Sequence, residues 1–243
     1  MKSQLLIQQF LASRYFSEDQ IKDLMHKYYT QECNYRDQIE ICNKKLEVFG
    51  LQLIKGIDEI SGEGLWVLCD IRRDSLTNLA TNYSPLEITF LKIVIDSIIT
   101  ADDSKFSLSY HDAIRKHSLV GIQSFKQKEA SAALLKFQAD DWLTLSQTGH
   151  FRISTKTLIE LNTYLSEIYK DELASCYLCS GLITIGFYCD NCSKSTHAIC
   201  FNQLSKQTPP LPLCLDCGHA LITPNCLIGS FDIEPFAPTK RET

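Results

Sequence analysis

Eight residues that can bind metal, spaced at short intervals near the carboxyl end, constrain this chain more than any other feature. The string reads Cys176-x2-Cys179-x9-Cys189-x2-Cys192-x4-His197-x2-Cys200-x13-Cys214-x2-Cys217. Two thiolates two residues apart can reach one ion from a single turn, and tetrahedral zinc needs four ligands. The eight residues therefore predict two structural Zn²⁺ sites, each closed to water.

The spacing alone does not fix which ligands share an ion. We favour an interleaved cross-brace because it ties the segment together better than two sequential sites. One ion would then be bound by Cys176, Cys179, His197 and Cys200, and the other by Cys189, Cys192, Cys214 and Cys217. His219 and Cys226 are rival ligands, but neither is needed to complete two tetrahedra. The segment is short and has few large apolar residues, so its hydrophobic core would be too small to stabilise it. We therefore expect metal binding to supply its folding free energy.

Disulfides are the alternative use of the eleven cysteines. Only Cys33, Cys42 and Cys69 precede residue 176, and the other eight cluster behind it. The first residues, MKSQLLIQQFLAS, lack the continuous apolar core of a signal peptide, and no run of about 18 apolar residues occurs. We therefore expect a soluble intracellular protein whose clustered cysteines bind metal, with Cys42 and Cys69 as buried small hydrophobic residues.

The amino-terminal region carries three helical patterns followed by a hairpin. Apolar residues recur at three- and four-residue spacing from residue 4 to residue 49, and Ser17 with Gln20 predicts the cap of the second helix. Two apolar runs, LQLIKGIDEI and LWVLCDI, are separated by SGEG, whose glycines suit a hairpin turn. Three helices followed by a hairpin is the element order of a winged-helix domain.

The same order is predicted a second time. The segment Ser84-Pro85-Leu86-Glu87 is a capping box with proline at the first helical position, and it opens an apolar helix. Helices are also predicted at residues 109–117 and 126–137, and a second hairpin at 142–145 and 151–153. Residues 154–169 carry leucines at helical spacing and predict one connector helix to the cysteine-rich segment.

The charge balance argues against direct binding of nucleic acid. The net charge is -5 and the pI is near 5.7. Lys126, Lys128 and Lys136 could reach phosphates, but residues 84–165 carry nine basic and nine acidic side chains, which predicts a solvated, mixed-charge face used for protein docking. The chain has no phosphate-binding glycine loop, HExxH or GxSxG motif, and this argues against a hydrolase or a nucleotide-using enzyme.

The C4HC3 ligand order resembles that of variant RING fingers and PHD fingers, which share the cross-braced topology. With two predicted winged helices before it, the chain resembles the non-structural maintenance of chromosomes element 1 family. This family supplies the RING-like subunit of the structural maintenance of chromosomes 5-6 complex, a DNA-repair assembly. The resemblance covers nearly the whole chain.

The resemblance implies an α+β fold, a set of partners and a location. Winged-helix domain A would span 1–83, winged-helix domain B with a carboxyl-terminal connector helix 84–171, the RING-like zinc domain 172–228, and a flexible tail 229–243. A MAGE-family subunit would dock on the winged helices, and a kleisin would be a further partner. The protein would act in DNA repair and recombination on nuclear chromatin, away from membranes, and would meet DNA only indirectly or through the assembled complex.

Family members are described as RING-type E3 ubiquitin ligases, so the resemblance implies ubiquitin transfer that depends on the partner and is weak for the chain alone. A RING ligase has no catalytic side chain, because it works by holding a ubiquitin-loaded conjugating enzyme in a reactive pose. The residues expected to dock that enzyme are Tyr177 and Leu178 in the first ligand turn and Pro212 and Leu215 around the last.

A non-catalytic adaptor or a PHD-like chromatin reader is the alternative. No tryptophan lies in residues 201–213, where RING fingers usually carry one, and Gly218 and His219 follow the last ligand where active RING fingers often keep a basic residue. A PHD histone reader usually has an aromatic residue at the position of Pro212, so a methyl-lysine cage also lacks a wall.

Overall fold

The computed structural model describes residues 2–28, 34–71, 82–101, 105–122, 124–204, 212–221, 223 and 226–229. Cys33 and the predicted tail beyond Gly229 lie outside these residues. The described residues form three units, each built around its own three-stranded antiparallel sheet. Within those ranges, no helix combines the length and the apolar character needed to cross a bilayer.

The first unit follows the predicted order of three helices and a hairpin. It comprises α1 (Lys2–Ser13), β1 (Tyr15–Ser17), α2 (Glu18–Tyr28), α3 (Tyr35–Leu46), a 3₁₀ helix (Glu47–Phe49), β2 (Leu51–Ile57) and β3 (Gly64–Asp70). The sheet has β3 between β1 and β2. As predicted, Ser17 caps α2, because its hydroxyl accepts from the amide of Gln20 and the Gln20 side chain accepts from the amide of Ser17.

The core of the first unit forms where one face of each helix meets the sheet. Its members recur at three- or four-residue spacing within each helix, which places them on a single side. The buried side chains are Leu6, Phe10, Ile21, Met25, Ile39, Cys42, Leu46, Leu53 and Leu68. The β2–β3 hairpin contributes Leu53 and Leu68 to this core, so it is held in place by the helices.

The second unit repeats this plan with shorter strands. It comprises α4 (Pro85–Ile99), β4 (Leu108–Ser109), α5 (Tyr110–Arg115), a 3₁₀ helix (Lys116–Val120), α6 (Gln127–Ala139), β5 (Leu143–Leu145) and β6 (His150–Ile153). The sheet order β4-β6-β5 matches the order β1-β3-β2, with the last strand in the centre. The predicted capping box is present, since Ser84 and Glu87 each accept a hydrogen bond from the other's backbone amide.

The predicted single connector helix is wrong in one respect, because it is broken at Leu161. The structure has α7 (Thr155–Glu160) and α8 (Asn162–Ile168), and the ψ of Leu161 is 12°. The break allows Ile159 to pack against Gly56 of the first unit while Leu161 and Leu165 remain in the core of the second. The connector therefore packs between the first and second units.

Three charged residues that were counted in the predicted solvated face are instead buried. Arg152, Lys156 and Glu160 are 4%, 6% and 7% exposed. Glu160 accepts a hydrogen bond from Arg14 of the first unit at 2.9 Å, and Lys156 donates to the carbonyl oxygen of Asp140 at 3.0 Å. The Glu160 contact joins the first unit to the second, so these side chains do not form a solvated face.

The third unit is small, and cysteines form part of its apolar core. It contains β7 (Gly186–Tyr188), β8 (Ser195–His197), α9 (Ala198–Leu204) and β9 (Leu227–Ile228), with β7 in the centre of the sheet. Its main apolar cluster contains Ile185, Phe187, Ala198, Phe201 and Leu221 together with Cys189, Cys214 and Cys226. So small a core is consistent with a fold that needs an additional source of stability.

Candidate metal centre

Three of the four ligand pairs lie in turns of the same hydrogen-bonded form. In each turn the carbonyl of the first cysteine accepts from the amide four residues later, and its own amide donates to the carbonyl five residues later. The residue four positions on has a positive φ in every case. The turns begin at Cys176, Cys189 and Cys214, and the positive-φ residues are Ser180, Ser193 and Gly218. Such turns point two sulfur atoms in the same direction.

The fourth pair has a different local structure. His197 is the last residue of β8, and Cys200 lies in the first turn of α9. The two-residue spacing predicts a fourth turn of the same kind, and the structure instead places the pair at a strand-to-helix junction. The change of direction at that junction still brings the two side chains together, because the imidazole Nδ1 lies 3.7 Å from the Cys200 sulfur.

The eight predicted ligand residues assemble into two groups, each with all its ligand atoms within 4.8 Å of one another. The first contains Cys176, Cys179, His197 and Cys200, and the second contains Cys189, Cys192, Cys214 and Cys217. The groups interleave along the chain, which is the arrangement expected for a cross-brace. Each one offers four nitrogen or sulfur donors.

The distances inside the groups suit a tetrahedral ion. Bonds of about 2.3 Å to sulfur place two sulfur ligands about 3.8 Å apart, and a sulfur and a nitrogen ligand about 3.6 Å apart. In the second group the sulfurs of Cys189 and Cys217 are 3.6 Å apart, as are those of Cys192 and Cys214. In the first group the Cys179 sulfur lies 3.2 Å from His197 Nδ1. A disulfide requires about 2.05 Å between sulfurs, so these pairs are not disulfides.

Hydrogen bonds among neighbouring side chains shift the pKa of several thiols in the two groups, and they lower it for one thiol in each. Hydrogen bonds from Cys179 and Cys200 lower the pKa of the Cys176 thiol, and the same interaction with Cys176 raises the pKa of Cys200. In the second group a hydrogen bond from the Asn191 side chain lowers the pKa of Cys217 to about 6. Thiolates are the metal-binding form of cysteine, so a lowered thiol pKa in each group favours the binding of a cation. The two groups could therefore hold metal ions.

The two rival ligands have other partners. His219 Nε2 lies 3.2 Å from a carboxylate oxygen of Asp190, and both side chains are largely exposed. Cys226 is fully buried, and its sulfur lies 3.1 Å from the hydroxyl of Thr223. Neither belongs to either ligand group.

More than half of the chain matches the model of a known protein family. The family model described as "Nse1 non-SMC component of SMC5-6 complex" matches residues 3–161 of the 243 residues. The chain belongs to the Nse1 family. The matched range ends before the first cysteine of the ligand string, so it rests on the two amino-terminal units and on α7 of the connector.

Curated Nse1 relatives share about a quarter of their residues with the chain. The Bos taurus element 1 homolog is 26% identical over 198 residues, which cover 79% of this chain and 73% of the relative. The Schizosaccharomyces pombe protein is 25% identical over 207 residues, covering 82% of each. The Homo sapiens homolog is 26% identical over 182 residues, covering 74% of this chain and 67% of the relative.

A solved chain titled "Nse1-Nse3-Nse4 complex" has the same fold, with a TM-score of 0.76 at 19% identity. The match covers 91% of this chain and 96% of the solved one. Only about a tenth of this Nse1-family chain is left outside the match, which is less than the length of the cysteine-rich segment. The structural likeness therefore extends into the third unit.

The residues expected to dock a conjugating enzyme lie around the first and last ligand turns. Lys194 joins the two turns, because its ammonium lies 5.2 Å from the centre of the Tyr177 ring and 2.7 Å from a carboxylate oxygen of Asp216. Leu215 is 39% exposed. Leu178 and Pro212 are half-buried. The structure thus brings the two turns close to each other on one side of the third unit.

Sequence reasoning missed a residue of the first unit that reaches the first ligand group. Glu59, in the β2–β3 turn, is 5% exposed, and its carboxylate lies 3.2 Å from Nε2 of His197. Its local sequence, an acidic residue between two apolar strands, is typical of a solvated hairpin turn. No signal in the sequence distinguishes it from such a turn.

Proposed function

We propose that the chain is a subunit of an SMC5-6-type complex that acts in the repair and recombination of nuclear chromosomes. The family match over residues 3–161 carries this proposal. The likeness to a chain of a complex that also contains Nse3 and Nse4 supports it. By the same reasoning its direct partners are a MAGE-family subunit of the Nse3 type and a kleisin of the Nse4 type, and DNA is met only through the assembly.

The amino-terminal units are proposed to be two winged-helix domains, spanning 1–83 and 84–171. The repeated order of three helices and a hairpin supports this, as does the identical placement of the last strand in the centre of each sheet. The RING-like domain would then span 172–228 and the tail 229–243. Winged helices used for assembly need an exposed apolar surface, and the first unit has one.

That surface lies in the 3₁₀ helix between α3 and β2. Val48 is 74% exposed and Phe49 is 69% exposed, more than any other large apolar side chain among the described residues. Exposed aromatic side chains of this kind frequently dominate the binding energy of an interface. We assign this pair to the docking of the MAGE-type subunit.

Phe49→Glu tests the assignment. We expect it to weaken binding of the MAGE-type subunit by about 2 kcal/mol or more, roughly thirtyfold, as for an interface hot spot. Leu119→Glu is the control, because Leu119 is 62% exposed in the 3₁₀ helix of the second unit, which lies between α5 and α6. If Leu119→Glu loses binding and Phe49→Glu does not, the docking site lies on the second unit. Wild-type chain that fails to bind any MAGE-type subunit would overturn the proposed assembly.

The metal in both groups is proposed to be Zn²⁺. Four nitrogen or sulfur donors with no oxygen ligand are the donor set of structural zinc sites, and thiolates select against Mg²⁺ and Ca²⁺. When bound, the ions would supply folding free energy and leave no open coordination position. Elemental analysis of natively purified protein should find two zinc ions per chain, and protein that is folded without any metal would overturn this assignment.

The third unit is proposed to act as a RING-type E3 ubiquitin ligase that needs its partner for full activity. Tyr177, Leu178, Pro212 and Leu215 would form the surface that binds the conjugating enzyme. The Lys194 bridge supports this proposal, since it holds the first and last ligand turns together as one surface. The contribution of the chain would be to hold the ubiquitin-loaded enzyme in a reactive pose.

Leu215→Asp provides the test in the zinc-loaded complex with the MAGE-type subunit and a panel of conjugating enzymes. We expect ubiquitin transfer to fall at least about tenfold while zinc content and partner binding are unchanged. Leu227→Asp is the matched control, because Leu227 is 41% exposed in β9 of the same unit whereas Leu215 is 39% exposed. Equal loss of ubiquitin transfer in both variants would show that Leu215 does not belong to a specific surface for the conjugating enzyme.

A non-catalytic adaptor is the second candidate, and one observation favours it. Gly218 follows the last ligand, and the next side chain, His219, is paired with Asp190, so no free basic group stands where active RING fingers often hold ubiquitin. If the folded, zinc-loaded, partner-bound complex forms no ubiquitin chains with any conjugating enzyme, the adaptor is correct and the ligase is not.

A further inference from the structure

The β2–β3 turn of the first unit inserts a buried carboxylate into the third unit. Glu59 Oε1 accepts hydrogen bonds from the amides of Thr184 at 2.8 Å and Ile185 at 3.2 Å, and Oε2 accepts from the Thr184 hydroxyl. Oε1 also lies 3.2 Å from His197 Nε2. A single side chain therefore receives four polar contacts from a segment more than 120 residues away.

The turn that carries Glu59 is held rigidly on both sides. Within the turn, Asp58 Oδ1 accepts from the amides of Ile60 and Ser61, at 3.1 and 2.8 Å. Towards the third unit, a Cβ atom on Gly62 would lie 2.7 Å from Ile199 of α9, so glycine permits the close approach. The carboxylate is thus presented by a fixed loop, which limits the entropy lost in ordering it.

These contacts define which nitrogen of His197 can bind a metal. Nε2 lies 2.9 Å from the carbonyl oxygen of Leu182 as well as 3.2 Å from Glu59, so both neighbours are acceptors and Nε2 must carry the hydrogen. Nδ1 points the other way, 3.2 Å from the Cys179 sulfur. A neutral imidazole with its hydrogen on Nε2 has its lone pair on Nδ1, directed into the ligand group.

We propose that Glu59 is a positioning residue of the first metal centre, supplied by the first unit to orient His197 and to hold the Thr184–Ile185 backbone beside it. The inference rests on the proposed zinc occupancy of that centre. Among the described residues, no hydrogen bond or ion pair joins the amino-terminal units to the four cysteines of the second centre, whose sulfurs contact one another. The two centres therefore differ in their dependence on the first unit. Docking of the β2–β3 turn stabilises the first centre and leaves the second unchanged.

Glu59→Gln in the full chain is the test variant. A carboxylate accepts at both oxygens, whereas an amide accepts at one and donates at the other, so the variant removes one acceptor atom and the negative charge beside His197. Outer-sphere partners of metal-bound histidine are typically worth about 10- to 100-fold in metal affinity, and we expect a loss of that size at the first centre. Glu63→Gln is the matched control, because Glu63 lies in the same turn with an exposed side chain.

The measurement is the release of zinc to a chelator, followed as two phases, one for each centre. Cobalt substitution identifies the phases, because a Cys₃His centre and a Cys₄ centre have different absorption spectra. Nitrogen-15 NMR of His197 reports directly whether Nε2 carries the hydrogen. We expect E59Q to accelerate only the Cys₃His phase and to perturb the His197 signals, while E63Q leaves both unchanged.

Two results would overturn the inference. Release at the wild-type rate in both phases from a folded E59Q chain would show that Glu59 does not position the centre. Equal acceleration of both phases would show that Glu59 contributes only to the general stability of the third unit. If E59Q does not fold, the same measurement is made on Thr184→Val, which removes only one donor to Glu59. Wild-type protein without zinc would instead overturn the proposed zinc centres, and this inference with them.

Discussion

The buried ion pair on α7 provides the sharpest test of how the first two units are joined. The side chains of Glu160 and Lys156 are 3% and 7% exposed, with Glu160 Oε2 and Lys156 Nζ 3.8 Å apart. Glu160 Oε1 also accepts from Arg14 at 2.9 Å. Lys156 Nζ lies 4.0 Å above the ring of Trp142. One carboxylate thus compensates a fully enclosed ammonium and a guanidinium from the neighbouring unit.

Glu160→Ala should destabilise the junction by about 3 to 5 kcal/mol, because it leaves the Lys156 charge buried without its partner. Burial already lowers the pKa of Lys156 from 10.5, and Glu160 opposes that shift. In the variant this opposition is gone, so the pKa falls further. Between that lowered pKa and 10.5 the unfolded chain binds more protons than the folded chain, so the free energy of unfolding rises with pH in that window and does not change through Lys156 at lower pH.

Urea denaturation followed by tryptophan fluorescence measures this effect, since one of the two tryptophans is Trp142 beside Lys156. Lys156→Met combined with Glu160→Leu should recover most of the loss, because both charges are then absent. Asp19→Ala is the control: Asp19 pairs with Lys22 at 2.7 Å but is 80% exposed, so its loss should cost no more than about 1 kcal/mol. An E160A chain within about 1 kcal/mol of wild type at neutral pH would refute the reasoning.

Three further predictions concern the cysteines and the third unit. Cys189→Ser should release about one zinc per chain and unfold the third unit while circular dichroism retains the helices of the first two, and retention of both ions would contradict it. Gly186→Ala should prevent the third unit from folding, because the added Cβ would lie 2.1 Å from the carbonyl oxygen of Thr196; a folded, zinc-loaded variant would refute this. Burial raises the pKa of Cys42 to about 11 and that of Cys69 to about 12. Their thiolate fractions at neutral pH are therefore roughly 100- and 1000-fold below that of a thiol of pKa 9, and mass spectrometry should find them alkylated only after unfolding.

Features determined by neighbouring residues could be predicted from the sequence. The Ser17 and Ser84 caps require only a partner three residues away, and the hairpins require only two apolar runs and a glycine turn. The ligand string belongs to the same class, because most of its two-residue spacings give a turn without help from the rest of the fold. The sequence favoured an interleaved arrangement of the two groups but did not determine it, because several pairings of the eight residues give each ion four ligands.

Features that depend on contacts between distant segments could not be predicted. The leucines of residues 154–169 fit one continuous helix, and the break at Leu161 arises because α7 also packs against a strand of the first unit, where Gly56 leaves room for Ile159. Lys156 and Glu160 fit an exposed helical ion pair equally well in sequence. Their burial is decided by packing against the first unit, whose Arg14 lies 146 residues before Glu160.

Glu59 shows why this limit matters for the function of a metal-binding module. The spacing of ligand residues determines which atoms can share an ion, but not the hydrogen position on an imidazole or the energy that keeps it there. For His197 both are set by acceptors outside the ligand string, one of them on a hairpin of another unit. The same unit exposes Phe49, in the 3₁₀ helix before β2, so under our proposals the partner and the first ligand group would both contact the first unit. The β2–β3 hairpin thus contacts both other units, at Ile159 of α7 and at Thr184 and His197, although the ligand pattern describes the third unit as self-contained.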